Sequence, residues 1–259
     1  MNLNTSGDIR YYQFPSLQHA DLTQAVFTRH GGVSPVPFHS LNVSVSVGDS
    51  RANMIENRQR AFRALGRAPD SVADLWQIHS AEVVRVDAPM GEIQTPPKAD
   101  ILITHRPEVT LFLRFADCVP ILLFDPRVQA IALVHAGWRG TLQKASAAAA
   151  RALMEHYGSR PPDIRAGIGP SIGPCHYAVG DEVVTQTRAA FGADADPLLI
   201  TNHQYHLDLW AANALALQQV GVEQIEVSGI CTACHTEHFF SHRGEQGQTG
   251  RFGALIGLR

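Results

Sequence analysis

Four cysteines and thirteen histidines mark this 259-residue chain. Thiolates and imidazoles are the side chains best suited to hold a transition metal, or to act as nucleophile and base near neutral pH. One of each, Cys118 and His135, sits in the stretch on which the chain is organised, residues 115 to 140, FADCVPILLFDPRVQAIALVHAGWRG. Two apolar runs there, 119 to 124 and 130 to 134, flank the turn signal Asp125-Pro126, which predicts a β-hairpin. Cys118 opens the first run and His135 closes the second, so antiparallel pairing brings both to one end of the hairpin. With His79 they form two imidazoles and one thiolate, a donor set that suits zinc and leaves a fourth position for water or substrate. Zinc held this way lowers the pKa of bound water or acts as a Lewis acid. The same residues support a metal-free reading, with Cys118 as nucleophile, His135 as its base and Asp117 or His79 orienting the base for acyl transfer. Composition does not separate the two.

Other polar groups extend the case. Arg29, Arg139, Arg243 and Arg251 each adjoin glycine or aromatic residues in expected loops, where a planar guanidinium can grip phosphate or carboxylate. Four such settings point to an anionic substrate. The glycine-rich loop at 167 to 173 offers backbone N–H groups, but it lacks the spacing and following acid of a dinucleotide fingerprint. Cys231-x-x-Cys234, with His235 and His238 behind it, is a metal or redox signal with no second C-x-x-C to complete it. Its expected role is structural or pocket-lining rather than a zinc site.

These residues need a frame. Alternating or aliphatic runs predict strands near 25–28, 82–86, 100–104, 109–115, 164–168 and 225–230, and LNVSVSV at 41–47 alternates in the same way. Helices are expected over 51–65 behind a Ser50 N-cap, 141–157, 179–191, and 209–219 behind an Asp208 N-cap. Residues 88–98, with Pro89, Pro96 and Pro97, read as loop, and the first ten residues read as loose. The elements mix without a steady β-α rhythm, which predicts one α+β domain over residues 1–259. A 45% apolar and 17% charged composition is that of a globular protein, and a net charge of -3 without a basic tail argues against nucleic acid or an anionic membrane as partner. No apolar run approaches the roughly 20 residues of a membrane span. With no basic, apolar leader either, a reducing cytoplasm with free, metal-bound or catalytic cysteines is expected.

Taken together, the motifs resemble the bacterial YfiH-like family, long labelled multicopper polyphenol oxidoreductases or laccase-domain proteins. The matching stretches include TRHGGVS at 28–34, LNVSVSVGD at 41–49, NRQR at 57–60, QIHSAEV at 77–83 and KAD at 98–100. They continue with ADCVPILLFDP at 116–126, VHAGWRGT at 134–141, GPSIGPCHYAVG at 169–180, CTACHTEHFFSHR at 231–243 and TGRFG at 249–253. Ser80 stands where glycine is usual, which would narrow the pocket, and His242 where a tyrosine is common.

The resemblance implies a four-layer α/β/β/α fold with mixed sheets, similar to the catalytic domain of cysteine-histidine deamidating toxins. It places metal on His79, Cys118 and His135, zinc with copper as the other possibility. It implies phosphorolysis of adenosine, inosine, guanosine and methylthioadenosine to base and sugar 1-phosphate, with adenosine deamination beside it, in a monomer or homodimer. Asp117 and Arg139 join the triad as expected catalytic residues. Arg29, Asn42, Arg243, Gly169, Ser171 and His176 are the expected ligand-binding set, with Arg139, Arg29 and Arg243 on phosphate and Asp117, Glu82 or His176 moving a proton. A laccase-like polyphenol oxidase would instead need a histidine-rich three-copper cluster, and the chain has no His-x-His pair to build one. A metal-free amide hydrolase is the remaining alternative.

Overall fold

The structure, a computed structural model, describes residues 1–91 and 95–259. Of the loop expected at 88–98, residues 92–94 therefore lie outside the described residues.

Two six-stranded mixed sheets form the centre. The first runs, edge to edge, β1 (Asn2–Ser6), β2 (Ile9–Gln13), β3 (Leu22–Phe27), β14 (Phe252–Leu258), β7 (Thr110–Phe115) and β4 (Val72–Ala73). The second runs β13 (Gln224–Val227), β10 (Arg165–Ile168), β8 (Val119–Asp125), β9 (Ala130–Ala136), β6 (Ile101–Thr104) and β5 (Val83–Arg85). Three pairs are parallel, β4 with β7, β5 with β6 and β10 with β13; the other pairs in these sheets are antiparallel. A small hairpin of β11 (Leu199–Asn202) and β12 (Gln204–Leu207) stands apart.

Strand periodicity explains the layering. Successive side chains point to opposite faces, so a strand covered on both sides must be apolar throughout. In β9, Ala130, Ala132, Val134 and Ala136 face one core, while Ile131 and Leu133 face another. The first core packs the second sheet against α3 (Ala145–Tyr157), α4 (Asp181–Phe191) and α5 (Leu209–Gln218). The other lies between the sheets, where Leu122, Phe124 and Leu133 meet Leu111, Leu113 and Ile256. A third core joins the outer face of the first sheet to α1 (Arg51–Ala64) through Phe27, Phe112, Leu255 and Phe62. The order of layers is α/β/β/α, as the resemblance implies. Phe112 is fully buried, and its truncation to alanine would cost about 3–5 kcal/mol.

Helix ends follow their caps. Ser50 accepts a hydrogen bond from the Asn53 amide and Asp208 one from Ala211, each worth about 1 kcal/mol. The helix expected over 141–157 is broken: α2 (Trp138–Leu142) is a separate short turn, and Lys144 takes a left-handed conformation (φ 57°) before α3 begins. Two further expectations need correction, and one strand was not expected. The first ten residues are ordered in β1 and β2, which pair along their whole length. Residues 41–47 form no strand; Asn42 Nδ2 donates to the Ser44 carbonyl and its Oδ1 accepts from the Ser44 amide, so side chains replace the ladder. The last strand, β14, had no strand signal because two glycines interrupt it, yet it is central. A Cβ at Gly253 would lie 2.5 Å from the Phe112 ring, and one at Gly257 would lie 3.1 Å from the Arg67 guanidinium. The glycines make room for those side chains.

Candidate active site

His135 continues the inter-sheet face of β9 and stands opposite Pro120 in the register, next to Cys118 at the mouth of β8. The hairpin thus brings thiol and imidazole to one end of the layer between the sheets. His79 arrives from the loop between β4 and β5 in a left-handed conformation (φ 62°), and Asp117 shares that region (φ 83°). Non-glycine residues there are strained, by roughly 1–3 kcal/mol each, and need outside support. For His79 the support comes from Asp100. Its Oδ2 accepts from the amides of Ile78 (3.2 Å) and Ser80 (2.7 Å) and from the Ser80 hydroxyl (2.9 Å). Its Oδ1 accepts from His135 Nδ1 at 2.8 Å. One buried carboxylate therefore positions both histidines, and it leaves the other ring nitrogen of His135 free. Ser80 does not narrow the pocket; its hydroxyl is spent on Asp100.

The three donor atoms of His79, Cys118 and His135 lie within 4.8 Å of one another, with Cys118 Sγ 3.9 Å from His79 Nε2. That separation is within reach of a single zinc ion, given bonds of about 2.3 Å to sulfur and 2.0–2.1 Å to nitrogen. Electrostatics agree with the geometry. Burial pushes the Cys118 thiol up, but the charge and hydrogen bonds of His135 and His79 outweigh it and bring it down to about 6. Burial likewise disfavours a charged His135, yet Cys118 and Asp100 raise it to about 9. Asp100 is held at about 2, burial being overcome by hydrogen bonds from His135 and Ser80. A thiolate, two imidazoles and a carboxylate behind one of them fit a metal site, since such a carboxylate fixes the tautomer and strengthens the ligand.

The triad opens into a cavity of about 580 Å³. Arg58, Arg114, Arg243 and Arg251 line it, with Trp76, Tyr177 and His242. Arg114 and Arg58 share Asp74 (2.8 and 3.0 Å), which offsets part of their charge. Arg243 lies over the Tyr177 ring and Arg251 donates to the Gly250 carbonyl, and no acidic side chain bridges either one among the described ion pairs. Burial and the neighbouring Cys118 and Asp117 push Tyr177 up to about 12, against Arg243 and Arg139, so its hydroxyl stays protonated.

Several expected residues sit elsewhere. Asp117 lines the cavity, but its Oδ1 accepts from Thr232 and Ser241 hydroxyls (2.7 Å each) and its Oδ2 from the Arg243 amide (2.6 Å). It anchors the loops that carry Arg243 rather than offering a free oxygen. Neither Asp117 nor His79 orients His135; Asp100 does. Arg29 is spent on the carbonyls of His39 and Thr236, on Glu245 and on the Phe240 ring, outside the cavity. Asn42 is buried, holding Asp49 and the Arg251 amide. Gly169 and Ser171 are buried in the wall, with the Gly169 amide on the Pro120 carbonyl and the Ser171 amide on that of Ile230. Arg139 is exposed and stacks on Trp138. His176 and Glu82 do not line the cavity. Of the expected ligand-binding set, Arg243 alone lines it. Sequence reasoning missed Asp100, Arg58, Arg114, Trp76 and Tyr177. Asp100 carried one usable signal, an acid directly before the apolar run Ile101-Leu102-Ile103 of a fully buried strand.

The comparisons with known proteins agree with this architecture. The sequence model of the multi-copper polyphenol oxidoreductase laccase family matches residues 23–259. The chain belongs to that family. A relative from Bacillus subtilis (strain 168), called purine nucleoside phosphorylase YlmD, is 39% identical, covering 90% of this chain and 87% of its own. Purine nucleoside phosphorylase YfiH of Escherichia coli (strain K12) is 33% identical over 89% of this chain and 91% of its own. The crystal structure of YlmD from Geobacillus stearothermophilus superimposes with a TM-score of 0.92 at 35% identity, covering 99% and 98% of the two chains.

Proposed function

We propose that this chain is a zinc-dependent purine nucleoside phosphorylase acting on adenosine, inosine, guanosine and methylthioadenosine, with adenosine deamination as a second activity. The observation that carries the reading is a thiolate-imidazole triad on the wall of a 580 Å³ cavity that also holds Arg243 and Arg251. A nucleoside together with phosphate fits within such a volume, and an anion suits its guanidinium groups. The relatives called purine nucleoside phosphorylases supply the reaction class. The shared core between the two sheets supports one domain.

In this reading His79, Cys118 and His135 hold the metal, which supplies Lewis acidity. Zinc is preferred to copper because phosphorolysis calls for Lewis acidity without a redox change; two imidazoles and one thiolate by themselves suit either metal. Arg243 and Arg251 bind phosphate near the sugar, replacing Arg29 and Arg139, which lie outside the cavity. Trp76 and Tyr177 present aromatic faces to the purine, and Asp117 holds Arg243 in place. The leaving base needs a proton, and His242 is the imidazole in the cavity outside the triad, so we assign that proton to it.

The test is incubation with adenosine, with and without phosphate, followed by chromatography. Adenine and ribose 1-phosphate appearing only with phosphate establish the phosphorylase, and inosine the deaminase. Protein with zinc bound at the triad that yields neither product would sink the reading.

A second reading has its own observation. Cys118, His135 and Asp100 make a nucleophile, base and orienting acid, with the 2.8 Å His135–Asp100 hydrogen bond in place. A metal-free amide hydrolase would use that arrangement, and it would keep full activity after chelation.

A further inference from the structure

The chain gathers sulfur and imidazole a second time, outside the cavity. The C-x-x-C turn at 231–234 does not use the histidines that follow it. His235 Nδ1 lies 3.0 Å from Glu237, and His238 Nδ1 lies 2.6 Å from the Tyr12 hydroxyl. Its partners come from the 169–177 loop instead, because Ser171 pairs with Cys231 in a parallel bridge. That pairing brings Cys175 and His176 against Cys231 and Cys234.

We propose that Cys175, His176, Cys231 and Cys234 form a structural zinc site separate from the catalytic triad. The four donor atoms lie within 4.8 Å of one another. Cys175 Sγ is 3.5 Å from Cys234 Sγ, and His176 Nδ1 is 3.3, 3.8 and 3.4 Å from the sulfurs of Cys175, Cys231 and Cys234. A zinc tetrahedron built from the usual bond lengths has S···S edges of about 3.8 Å and S···N edges of about 3.5 Å. The measured edges scatter around those values. The Gly173 amide points at Cys231 Sγ at 3.2 Å, a donor that stabilises a coordinated thiolate. Gly173 also has to be glycine, since a Cβ there would lie 2.7 Å from the Trp210 ring and 3.1 Å from Cys231 Cβ.

Four protein ligands leave no open position, so this site closes rather than catalyses. Zinc would displace the thiol protons to solvent on binding. It would clip the loop carrying Ile172 and Tyr177 to the segment carrying Thr232, His242 and Arg243, the two walls that meet at Asp117.

The test uses the full chain bearing His79→Ala and Cys118→Ser, so that zinc at the triad is not counted. Zinc analysis after gel filtration is expected to give one ion per chain. Cobalt(II) in its place is expected to show thiolate-to-metal charge transfer and the intense visible bands of a tetrahedral ion. Adding Cys234→Ser, a change at an exposed position, removes about one third of the charge-transfer intensity, because one of three thiolates is lost. Chelation lowers the melting temperature by several degrees, and zinc restores it. Trace zinc only, an unchanged cobalt spectrum in the Cys234→Ser chain, or a Cys175–Cys234 disulfide in place of metal would each overturn the proposal. Failure of nucleoside turnover would leave it untouched.

Discussion

The two cysteine-histidine clusters differ in how many donors they present and in what lies in front of them. The triad has three donors, a buried carboxylate behind His135, and a cavity lined by guanidinium groups. The tetrad has four donors, lines no part of that cavity, and ties two loops together. Their thiols respond in opposite ways. Cys118 falls to about 6 because two imidazoles outweigh its burial. Burial and the adjacent Cys231 and Cys234 push Cys175 up to about 12. Thiols crowded among imidazoles ionise readily, whereas thiols crowded among thiols need a cation to do so. Residue type alone does not distinguish the clusters; the ratio of imidazole to thiol and the presence of a void do.

Removing a triad donor is expected to have the largest effect. Cys118→Ser or His135→Ala is expected to lower phosphorolysis by about 10²–10⁴-fold, the usual scale for losing a group central to proton or charge handling. The zinc count of the tetrad should not change. Steady-state assays paired with metal analysis check both halves, and an active Cys118→Ser chain would remove the triad from the mechanism.

Gly137→Ala comes next. A methyl group there would lie 2.9 Å from His79 Cδ2 and 3.0 Å from Cys118 Sγ, between two proposed ligands. Gly137 has an ordinary negative φ of -73°, so space and not backbone strain requires the glycine. The expected result is loss of triad metal and of activity. Far-ultraviolet circular dichroism should stay native, and overpacking should cost about 1–3 kcal/mol by urea unfolding.

Asp100→Asn should act more mildly, because it removes support and not a ligand. A loss of about 10–100-fold in metal affinity or in kcat/KM is expected. It separates the two functional readings. If Asp100 orients a general base in a metal-free enzyme, added zinc will not recover activity; if it braces a ligand, excess zinc will recover part of it.

How much of this was legible in the residues depends on where each residue's partners lie. The β8–β9 hairpin could be read because both strands are apolar on both faces and a turn signal separates them. Cys118 and His135 mark its ends, so their meeting followed from antiparallel pairing alone. The α/β/β/α order was read from motif resemblance, since no local pattern says which sheet faces which helix. Asp100 was missed because its importance lies in contacts with residues 20 and 35 positions away. Arg29 and Arg243 look alike in sequence, each on a polar loop. The first is absorbed by carbonyls and Glu245 and the second faces the cavity. The 41–47 alternation misled because Leu41, Asn42, Val43 and Ser44 are all buried, so the period-2 pattern does not map onto two faces.

That loop also provides the mildest test, and one with a defined pH window. Asp49 accepts hydrogen bonds from the Ser34 hydroxyl (2.5 Å), Asn42 Nδ2 (2.8 Å), Asn53 Nδ2 (2.9 Å) and the Ser50 amide (2.7 Å). Burial raises its carboxyl, but these donors outweigh it and hold the group below the ordinary aspartate value of 3.8. A group depressed on folding contributes its full stabilisation above the unfolded pKa and loses it as pH falls through the folded one. Asp49→Asn replaces a carboxylate oxygen with an amide facing donors, and should cost about 1–2 kcal/mol at neutral pH. Measured by thermal melts, the gap between wild type and variant should be flat from pH 7 to about 5 and shrink only below about pH 4. A gap that persists unchanged at low pH would mean that Asp49 holds the loop by shape and not by charge. Because Asn42 also fixes the Arg251 amide, the variant should raise the KM for phosphate before it lowers kcat, placing the effect on the cavity's guanidinium groups and not on the triad.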